Sequence, residues 1–159
     1  MKTMKEAASE FLWKKNIAVA GVSRDSGGAH GGNPVYVRLR DRGYNVYAVN
    51  PNASEVEGDA CYPNIKTIPG GVDAVVIATK PEVADVVMQD CIDAGIKHVW
   101  MHRGPGSGSV SESATALGRA AGVTVIDGGC PLMFDPTADF GHKILKGVLS
   151  LVGNVPKKV

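Results

Sequence analysis

Short apolar runs alternate along this chain with segments of helical spacing. The runs at residues 17–20, 44–49, 72–78, 98–101 and 123–126 are predicted to be strands. The run at 72–78 is β-branched and almost unbroken, which is typical of a strand buried on both faces of a parallel sheet. The alternation predicts a single α/β domain over residues 1–159. Its expected architecture is Rossmann-like and doubly wound, with flanking helices and a mostly parallel five-stranded sheet.

Helical spacing predicts a helix between most of these strands. An N-terminal cover helix is expected at residues 3–14, with Met4, Ala7, Ala8, Phe11 and Leu12 on its inner face. A membrane-surface helix is the alternative, which charges of both signs disfavour. Helices are also expected at residues 35–42, from Pro81 to about 94, and at 109–121. Residues 53–69 should form an irregular crossover with one short helical turn near 64–68.

The apolar positions of the later helices predict how they pack. The helix after Pro81 should use Val83, Val86, Val87, Cys91 and Ile92, and the next helix Ala114, Leu117 and Ala121. Ser109 with Glu112 resembles a capping box. A C-terminal helix at about 137–152 should pack through Phe140, Ile144, Val148, Leu151 and Val152. The core is therefore expected at about 14–136, with residues 154–159 as a polar tail.

Residues 17–34 combine a strand, a glycine-rich loop and the start of a helix. This order is the first unit of a Rossmann-type fold, where backbone amides and a helix N-terminus suit a phosphate group. The spacing is not G-x-G-x-x-G, so the motif is weak alone. A long flexible turn is the alternative.

Composition narrows the classes of partner. The net charge of +1 creates no strong positive potential that would attract a polyanion. Nucleic acid is therefore not expected as a partner. No apolar run approaches the roughly 20 residues of a membrane span, and the charged N-terminus lacks a signal-peptide core, so no membrane partner is expected. The three cysteines form neither a disulfide framework nor a metal knuckle. We therefore expect no metal site and a cytoplasmic location, in a reducing cytosol.

Ligands of such sheets bind beyond the carboxyl ends of the strands. In strand order, the residues there are Gly21, Val22, Ser23 and Arg24; Asn50 and Pro51; Ala78, Thr79, Lys80 and Pro81; His102, Arg103 and Gly104; and Gly129, Cys130 and Pro131. An NAD site usually has an acidic residue after the second strand, but this chain has Asn50-Pro51. Because a carboxylate there would repel a phosphorylated ribose, its absence favours NADP or coenzyme A (CoA).

The segments at the strand ends also resemble those of a known protein family. The segments V-A-G-V-S, G-Y-N-V-Y-A-V-N-P, D-A-V-V-I-A-T-K-P, W-M-H-R-G and G-G-C-P occur in this order. They resemble the small stand-alone CoA-binding proteins of Rossmann type. These are similar to the CoA-binding domain of the succinyl-CoA synthetase α subunit and of NDP-forming acyl-CoA synthetases. The resemblance covers roughly residues 14–136, and the longer glycine loop makes it least specific between Asp25 and Gly32.

The resemblance implies roles for the strand-end residues. Gly21, Ser23 and the loop amides would hold the pyrophosphate, with Val22 between them, and Arg24 could bond to a phosphate. Val49, Asn50 and Pro51 would flank the adenosine. Ala78, Thr79, Lys80 and Pro81 would line the path of the nucleotide or pantetheine, with Met101 and Arg103 further along. For Arg24 and Lys80, a solvated surface cation is the alternative.

Catalysis is not expected from these residues, and no catalytic residue is assigned. The synthetases use a phosphorylated histidine on a separate domain, so His30, His98, His102 and His142 need other roles. His98 is interpreted as a capped core residue and His142 as structural. Cys130 could meet the CoA thiol and form a mixed disulfide if a helix or loop dipole lowers its pKa. A small buried residue in a tight turn is the alternative.

Two classes of function remain. The first is a binding module for CoA or an acyl-CoA without catalysis of its own. The second is a minimal NADP-dependent oxidoreductase or a nucleotide-sensing module. A homodimer or a separately encoded partner enzyme is compatible with either class.

Overall fold

The structure, a computed structural model, describes residues 1–25, 32–106 and 108–159. Five helices are present in these ranges: α1 (Met4–Trp13), α2 (Gly32–Asp41), α3 (Pro81–Asp93), α4 (Glu112–Ala120) and α5 (Phe140–Leu151). The strands are β1 (Asn16–Ala20), β2 (Asn45–Val49), β3 (Glu55–Val56), β4 (Asp59–Tyr62), β5 (Ala74–Ile77), β6 (His98–Met101) and β7 (Thr124–Asp127). No helix of these described ranges is long and apolar enough to cross a membrane.

The strands form one sheet in the order β3-β4-β2-β1-β5-β6-β7. All pairings are parallel except β3 with β4. The α/β class and the mostly parallel sheet are confirmed, but the expected count of five strands is wrong. The two extra strands, β3 and β4, form a hairpin inside the segment expected to be irregular. They were missed because they are only two and four residues long and show no clear alternation.

The helices cover both faces of the sheet. On one face α1, α2 and α5 enclose a core around Phe11 and Trp100, whose rings meet edge to face with centroids 5.4 Å apart. On the other face α3 and α4 enclose a second core around Met88 and Val125. The four residues of β5 are buried on both faces, as the apolar run predicts.

Helix boundaries follow local capping chemistry. α1 buries the five expected apolar residues, and Thr3 and Glu6 form a capping box at its start. α3 has Pro81 at its first position, as expected for a residue without an amide hydrogen. The capping prediction for α4 is wrong, because Ser111 accepts the amide hydrogen of Ala114 and the helix begins at Glu112.

Three packing predictions are also wrong. In α4, Gly118 faces the core and Leu117 is exposed, because a Cβ at Gly118 would come 2.7 Å from Met88 and Val125. The C-terminal residues are not a free polar tail, since Val155 is buried and Thr3 pairs with Lys158. In α5, all five residues expected to pack are exposed. Leu149 is buried instead, because the helix presents the opposite side to the sheet.

Candidate functional site

A cavity of about 630 Å³ opens at the carboxyl ends of β1, β2 and β5. The strand order places this cavity where the chain changes direction: from β1 it moves outward to β2, and it later returns to β5 on the other side of β1. Such a switch point is where doubly wound sheets leave room for a ligand. The lining residues are Ala20, Gly21, Ser23, Val49, Asn50, Pro51, Asn52, Pro63, Asn64, Ile65, Ala78, Thr79, Lys80, Val83, Val86, Val87 and Asp90.

Gly21 makes the close approach of three elements possible at the floor of this cavity. Its φ is +96°, and a Cβ there would come 2.5 Å from the carbonyl oxygen of Ala78. A Cβ on Gly32, at the start of α2, would come 2.5 Å from the carbonyl oxygen of Gly21. Only glycine fits both positions, so the N-terminus of α2 lies directly against the end of β1.

The side chain of Asn33 connects the loop after β1 to α2 through hydrogen bonds. Its buried side-chain oxygen accepts the amide hydrogen of Ser23 at 2.8 Å, and its side-chain nitrogen donates to the Ser23 carbonyl oxygen at 2.8 Å. The same nitrogen also donates to the carboxylate of Glu57 at 2.7 Å. Glu57 sits in the turn between β3 and β4 at φ +50°, a left-handed conformation that favours glycine. Sequence pattern predicts neither residue for the site, because the hairpin that carries Glu57 shows no clear alternation and Asn33 acts through its contacts with Ser23 and Glu57.

Asn50 makes the second connection between loops. Its side-chain nitrogen donates to the carbonyl oxygen of Val22 at 2.9 Å, and its side-chain oxygen accepts the amide hydrogen of Asn52 at 2.8 Å. The loops after β1 and β2 are therefore held together before any ligand arrives. The resemblance implied that Asn50 flanks the adenosine, and the structure adds this role in shaping the cavity.

Two amides assigned to the pyrophosphate have partners within the protein. The N–H of Gly21 donates to Val49 at 3.1 Å, and the N–H of Ser23 donates to Asn33. The hydroxyl oxygen of Ser23 accepts the amide hydrogen of Asp25 at 3.2 Å, which leaves its own hydrogen able to donate. Phosphate binding at this loop would therefore rely on the Ser23 hydroxyl and on the N-terminus of α2.

One wall of the cavity is apolar. Val83 and Val86 of α3 are 45% and 64% exposed, and Pro63 and Ile65 complete this wall from the segment after β4. Helical spacing had assigned the two valines to the core, but α3 buries Ala84, Met88 and Cys91. The exposed valines suit an adenine ring or a pantetheine chain.

The charges at the cavity are few. Lys80 is exposed at the rim. Asp90 is the carboxylate in the lining, and its oxygen lies 2.9 Å from the ammonium nitrogen of Lys66, which offsets its charge. Beside β2 the described lining residues are Asn50, Pro51 and Asn52, and none of these three is acidic.

The structure brings together part of the predicted set of site residues. The residues that line the cavity are Gly21, Ser23, Val49, Asn50, Pro51, Ala78, Thr79 and Lys80. Val22 and Met101 are buried in the core, and Arg24 is exposed outside the lining. Pro81 begins α3, and Arg103 donates to the Gly106 carbonyl oxygen at 3.3 Å. The loop residues between Asp25 and Gly32, whose amides were expected to hold the pyrophosphate, lie outside the described part of the chain. His30 is one of them.

Cys130 does not have the environment that its hypothesis required. It is 4% exposed in the core that contains Trp100 and Phe134, and burial raises the pKa of its thiol to about 12. The expectation of a lowered pKa is therefore wrong, because desolvation disfavours the thiolate. The mixed disulfide with a CoA thiol stays a hypothesis, which this burial disfavours.

The three histidines that the structure describes, His98, His102 and His142, lie outside the cavity lining. Burial, and to a lesser extent the neighbouring His142, lower the pKa of His102 to about 4. His142 lies 2.9 Å from the carboxylate of Asp139, which caps α5 and also pairs with Arg38 at 2.8 Å. The Nδ1 of His98 is buried and has no hydrogen-bond partner among the described residues, which does not support the interpretation as a capped residue. Among the described residues no acidic, histidine or cysteine cluster could hold a metal ion.

Curated relatives match a little more than half of the chain. ADP-forming acetate–CoA ligase II of Archaeoglobus fulgidus is 38% identical over 90 residues, which cover 55% of this chain and 13% of that protein. The α subunit of ADP-forming acetate–CoA ligase II of Pyrococcus furiosus is 33% identical over 90 residues, which cover 56% and 19%. The match thus spans less than a fifth of the length of these relatives.

Solved structures show the same arrangement. A hypothetical protein from Pyrococcus horikoshii OT3 superposes with a TM-score of 0.73 at 27% identity, covering 82% of this chain and 88% of that one. The apo form of the dinucleotide-forming acetyl-coenzyme A synthetase 1 of Ca. Korarchaeum cryptofilum gives a TM-score of 0.61 at 27% identity, covering 76% and 27%. Residues 15–136 match the family described as CoA binding domain. This match spans the sheet and the cavity at its switch point, and the chain belongs to the CoA-binding domain family.

Proposed function

We propose that this chain binds coenzyme A or an acyl-CoA in the cavity at the carboxyl ends of β1, β2 and β5. The observation that carries the proposal is a preformed switch-point cavity without an acidic residue beside β2, in a chain of the CoA-binding family. Its volume of about 630 Å³ lies within the range of small-molecule sites.

The chemistry of the walls supports a ligand with a phosphorylated head and an apolar arm. The N-terminus of α2 has no acidic residue of its own in its first turn, so its partial positive charge faces the loop after β1, and the Glu57 carboxylate bonded to Asn33 offsets part of that charge. Lys80 adds a cation at the rim. The exposed Val83 and Val86 offer the apolar surface that an adenine ring or a pantetheine chain needs.

We further propose that the chain binds this ligand without a chemical step of its own. The described residues of the lining include no histidine or cysteine, and the one carboxylate among them is paired with Lys66. These residues offer no general base or nucleophile with an activating partner. An NADP-binding oxidoreductase or nucleotide sensor is the competing function, because NADP also carries a phosphorylated ribose.

Calorimetric titration with CoA, dephospho-CoA, NADP and NAD tests the proposal. We expect CoA to bind at least tenfold more tightly than dephospho-CoA, since the ribose phosphate meets no carboxylate. Binding of NADP without binding of CoA would favour the oxidoreductase or sensor. Failure of all four ligands to bind would refute the proposed site.

A charge variant tests the electrostatic argument directly. Asn52→Asp places a carboxylate beside β2 and keeps the backbone amide that bonds to Asn50. We expect it to weaken CoA about tenfold and dephospho-CoA less. Asn45→Asp, at the opposite end of β2, adds the same charge away from the cavity and should leave both affinities unchanged.

A further inference from the structure

Helix α5 presents different kinds of surface to the protein and to solvent. Toward the core, Leu149 is 5% exposed and Leu145 packs beside it. Away from the core, four large apolar side chains are mostly exposed: Phe140 at 80%, Ile144 at 56%, Val148 at 54% and Leu151 at 88%. Val152, just after the helix, is 65% exposed. We call these five residues the α5 stripe.

The α5 stripe lies on one side of the helix. At about 100° per residue, its four helical members fall within an arc of about 80°, and Val152 extends the arc to about 120°. An apolar arc of this width is typical of a helix face that is buried. The described residues of the chain leave it uncovered, so the stripe is an unused packing surface.

Gly147 gives a second, independent indication. A glycine inside a helix is about 1 kcal/mol less stable than alanine. A Cβ on Gly147 would meet no heavy atom within 4 Å, so nothing in the chain's own packing requires glycine here. Gly147 lies at the edge of the α5 stripe near the middle of the helix, where it would let another backbone approach closely.

The charges of α5 do not favour an oppositely charged partner. The helix carries no acidic residue, and its two lysines already have partners within the chain. The Lys143 ammonium lies 3.0 Å from the Asp135 carboxylate, and that of Lys146 lies 3.7 Å from the ring centroid of Phe134. The surface that remains is apolar, and it fits an equally apolar surface.

We propose that the α5 stripe is the two-fold interface of a homodimer, formed by two antiparallel copies of α5. The apolar residues of the stripe are spaced almost symmetrically about residue 146. An antiparallel pair therefore sets Phe140 opposite Val152 of the partner subunit, and Ile144 opposite Val148 of the partner subunit. A two-fold interface requires such a self-complementary patch. The opposed helix dipoles also favour this arrangement.

The area is sufficient for a specific contact. The α5 stripe exposes on the order of 500 Å² of apolar surface per copy, comparable to the largest patches on monomeric proteins. Pairing would remove on the order of 1,000 Å² from water before the flanking residues are counted, near the lower bound for biological interfaces. The dimer is independent of ligand binding and does not rest on the proposed function.

Sedimentation velocity on the full chain, from about 5 to 200 μM, tests the proposal, since affinities in this range shift the monomer–dimer equilibrium. We expect a concentration-dependent dimer for the unmodified chain. Ile144→Glu should weaken dimerisation at least tenfold, because it buries a charge at the centre of the stripe. Ser150→Glu adds the same charge to an exposed position of α5 outside the arc and should leave dimerisation unchanged.

Circular dichroism melts distinguish an interface effect from misfolding. Ile144 is exposed in the monomer, so Ile144→Glu should retain the native spectrum. A second variant, Val148→Lys, should reproduce the loss of dimer. A chain that stays monomeric throughout the concentration range would overturn the proposal, and so would a dimer that both variants preserve. A monomer that binds lipid vesicles or another protein through this face would equally overturn it.

Discussion

The carboxyl ends of β1, β2 and β5 differ sharply from those of β6 and β7, although similar small and polar residues follow both groups of strands. At the first group, Asn33 and Asn50 tie the loops to one another and leave a cavity between them. At the second, the chain turns back into the core. Cys130 is buried, and the Trp100 indole nitrogen donates to the Gly128 carbonyl oxygen at 2.9 Å.

This difference teaches that the end of a strand is a site only where neighbouring connections diverge. Between β1 and β5 the chain leaves in opposite directions, so a crevice remains. Beyond β6 and β7, the short helix Pro131–Met133 is buried in the core that contains Trp100 and covers the strand ends. Thr137 stabilises the segment around this short helix, since its buried hydroxyl lies within hydrogen-bonding distance of the Pro131 and Phe134 carbonyl oxygens.

We call the carboxyl ends of β1, β2 and β5, which surround the cavity, the open end, and those of β6 and β7 the closed end. The largest effect is expected from Gly21→Ala at the open end. The new methyl group would collide with the Ala78 backbone in a left-handed conformation, so the free energy of unfolding should fall by about 3 kcal/mol and CoA binding should be lost. Urea unfolding and calorimetry measure both. Gly95→Ala is the control, because Gly95 has φ +73° but open space, and should cost only about 1 kcal/mol.

At the closed end, burial of His102 predicts a pH dependence of stability. The unfolded imidazole takes up a proton below pH 6.5, but the folded one only near pH 4, so the unfolded state binds more protons between these values. The free energy of unfolding should therefore fall by at most about 3 kcal/mol as pH drops from 6.5 to 4.

Urea unfolding between pH 4 and 7.5 checks this prediction. His102→Asn should flatten most of the slope. A small slope should remain, because burial also lowers the pKa of His98. An unchanged slope in His102→Asn would show that the closed end is not the source of the effect.

A smaller effect should separate stability from ligand affinity at the open end. Glu57→Gly relieves the left-handed backbone at this position but removes the carboxylate that bonds to Asn33. We expect stability to stay level or rise by about 0.5 kcal/mol, and the affinity for CoA to fall about fivefold. Glu57→Gln keeps an acceptor oxygen and should bind CoA nearly as well. Equal affinities for Glu57→Gly and the unmodified chain would show that the tether does not position the loop.

The smallest effect is expected at Cys130. Because burial raises the pKa of its thiol to about 12, native protein at pH 8 should show almost no alkylation of Cys130 by iodoacetamide, and unfolded protein full alkylation. Peptide mass spectrometry distinguishes the two states. Rapid native labelling would restore the idea of a reactive thiol beside the ligand and weaken the contrast between the two ends.

Much of the fold could be predicted, because burial imposes local patterns. The β-branched run of β5 indicates a strand covered on both faces, and α1 buries the expected five residues. Prediction failed where a helix has two apolar sides. In α5 the exposed residues Phe140 and Ile144 are as hydrophobic as the buried Leu149, so periodicity alone could not choose the packed side.

The chain's sequence by itself determined the order of the helices and of the five strands other than β3 and β4, the glycines at the end of β1, and the absence of acid after β2. These features are local, since they depend on neighbouring residues and on the backbone each residue type allows. Only the tertiary structure decided which strand ends diverge into a cavity, that Asn33 and Glu57 support the loop, and that α5 turns its stripe outward. These outcomes depend on contacts between residues far apart in the chain, and a linear pattern does not encode such contacts locally.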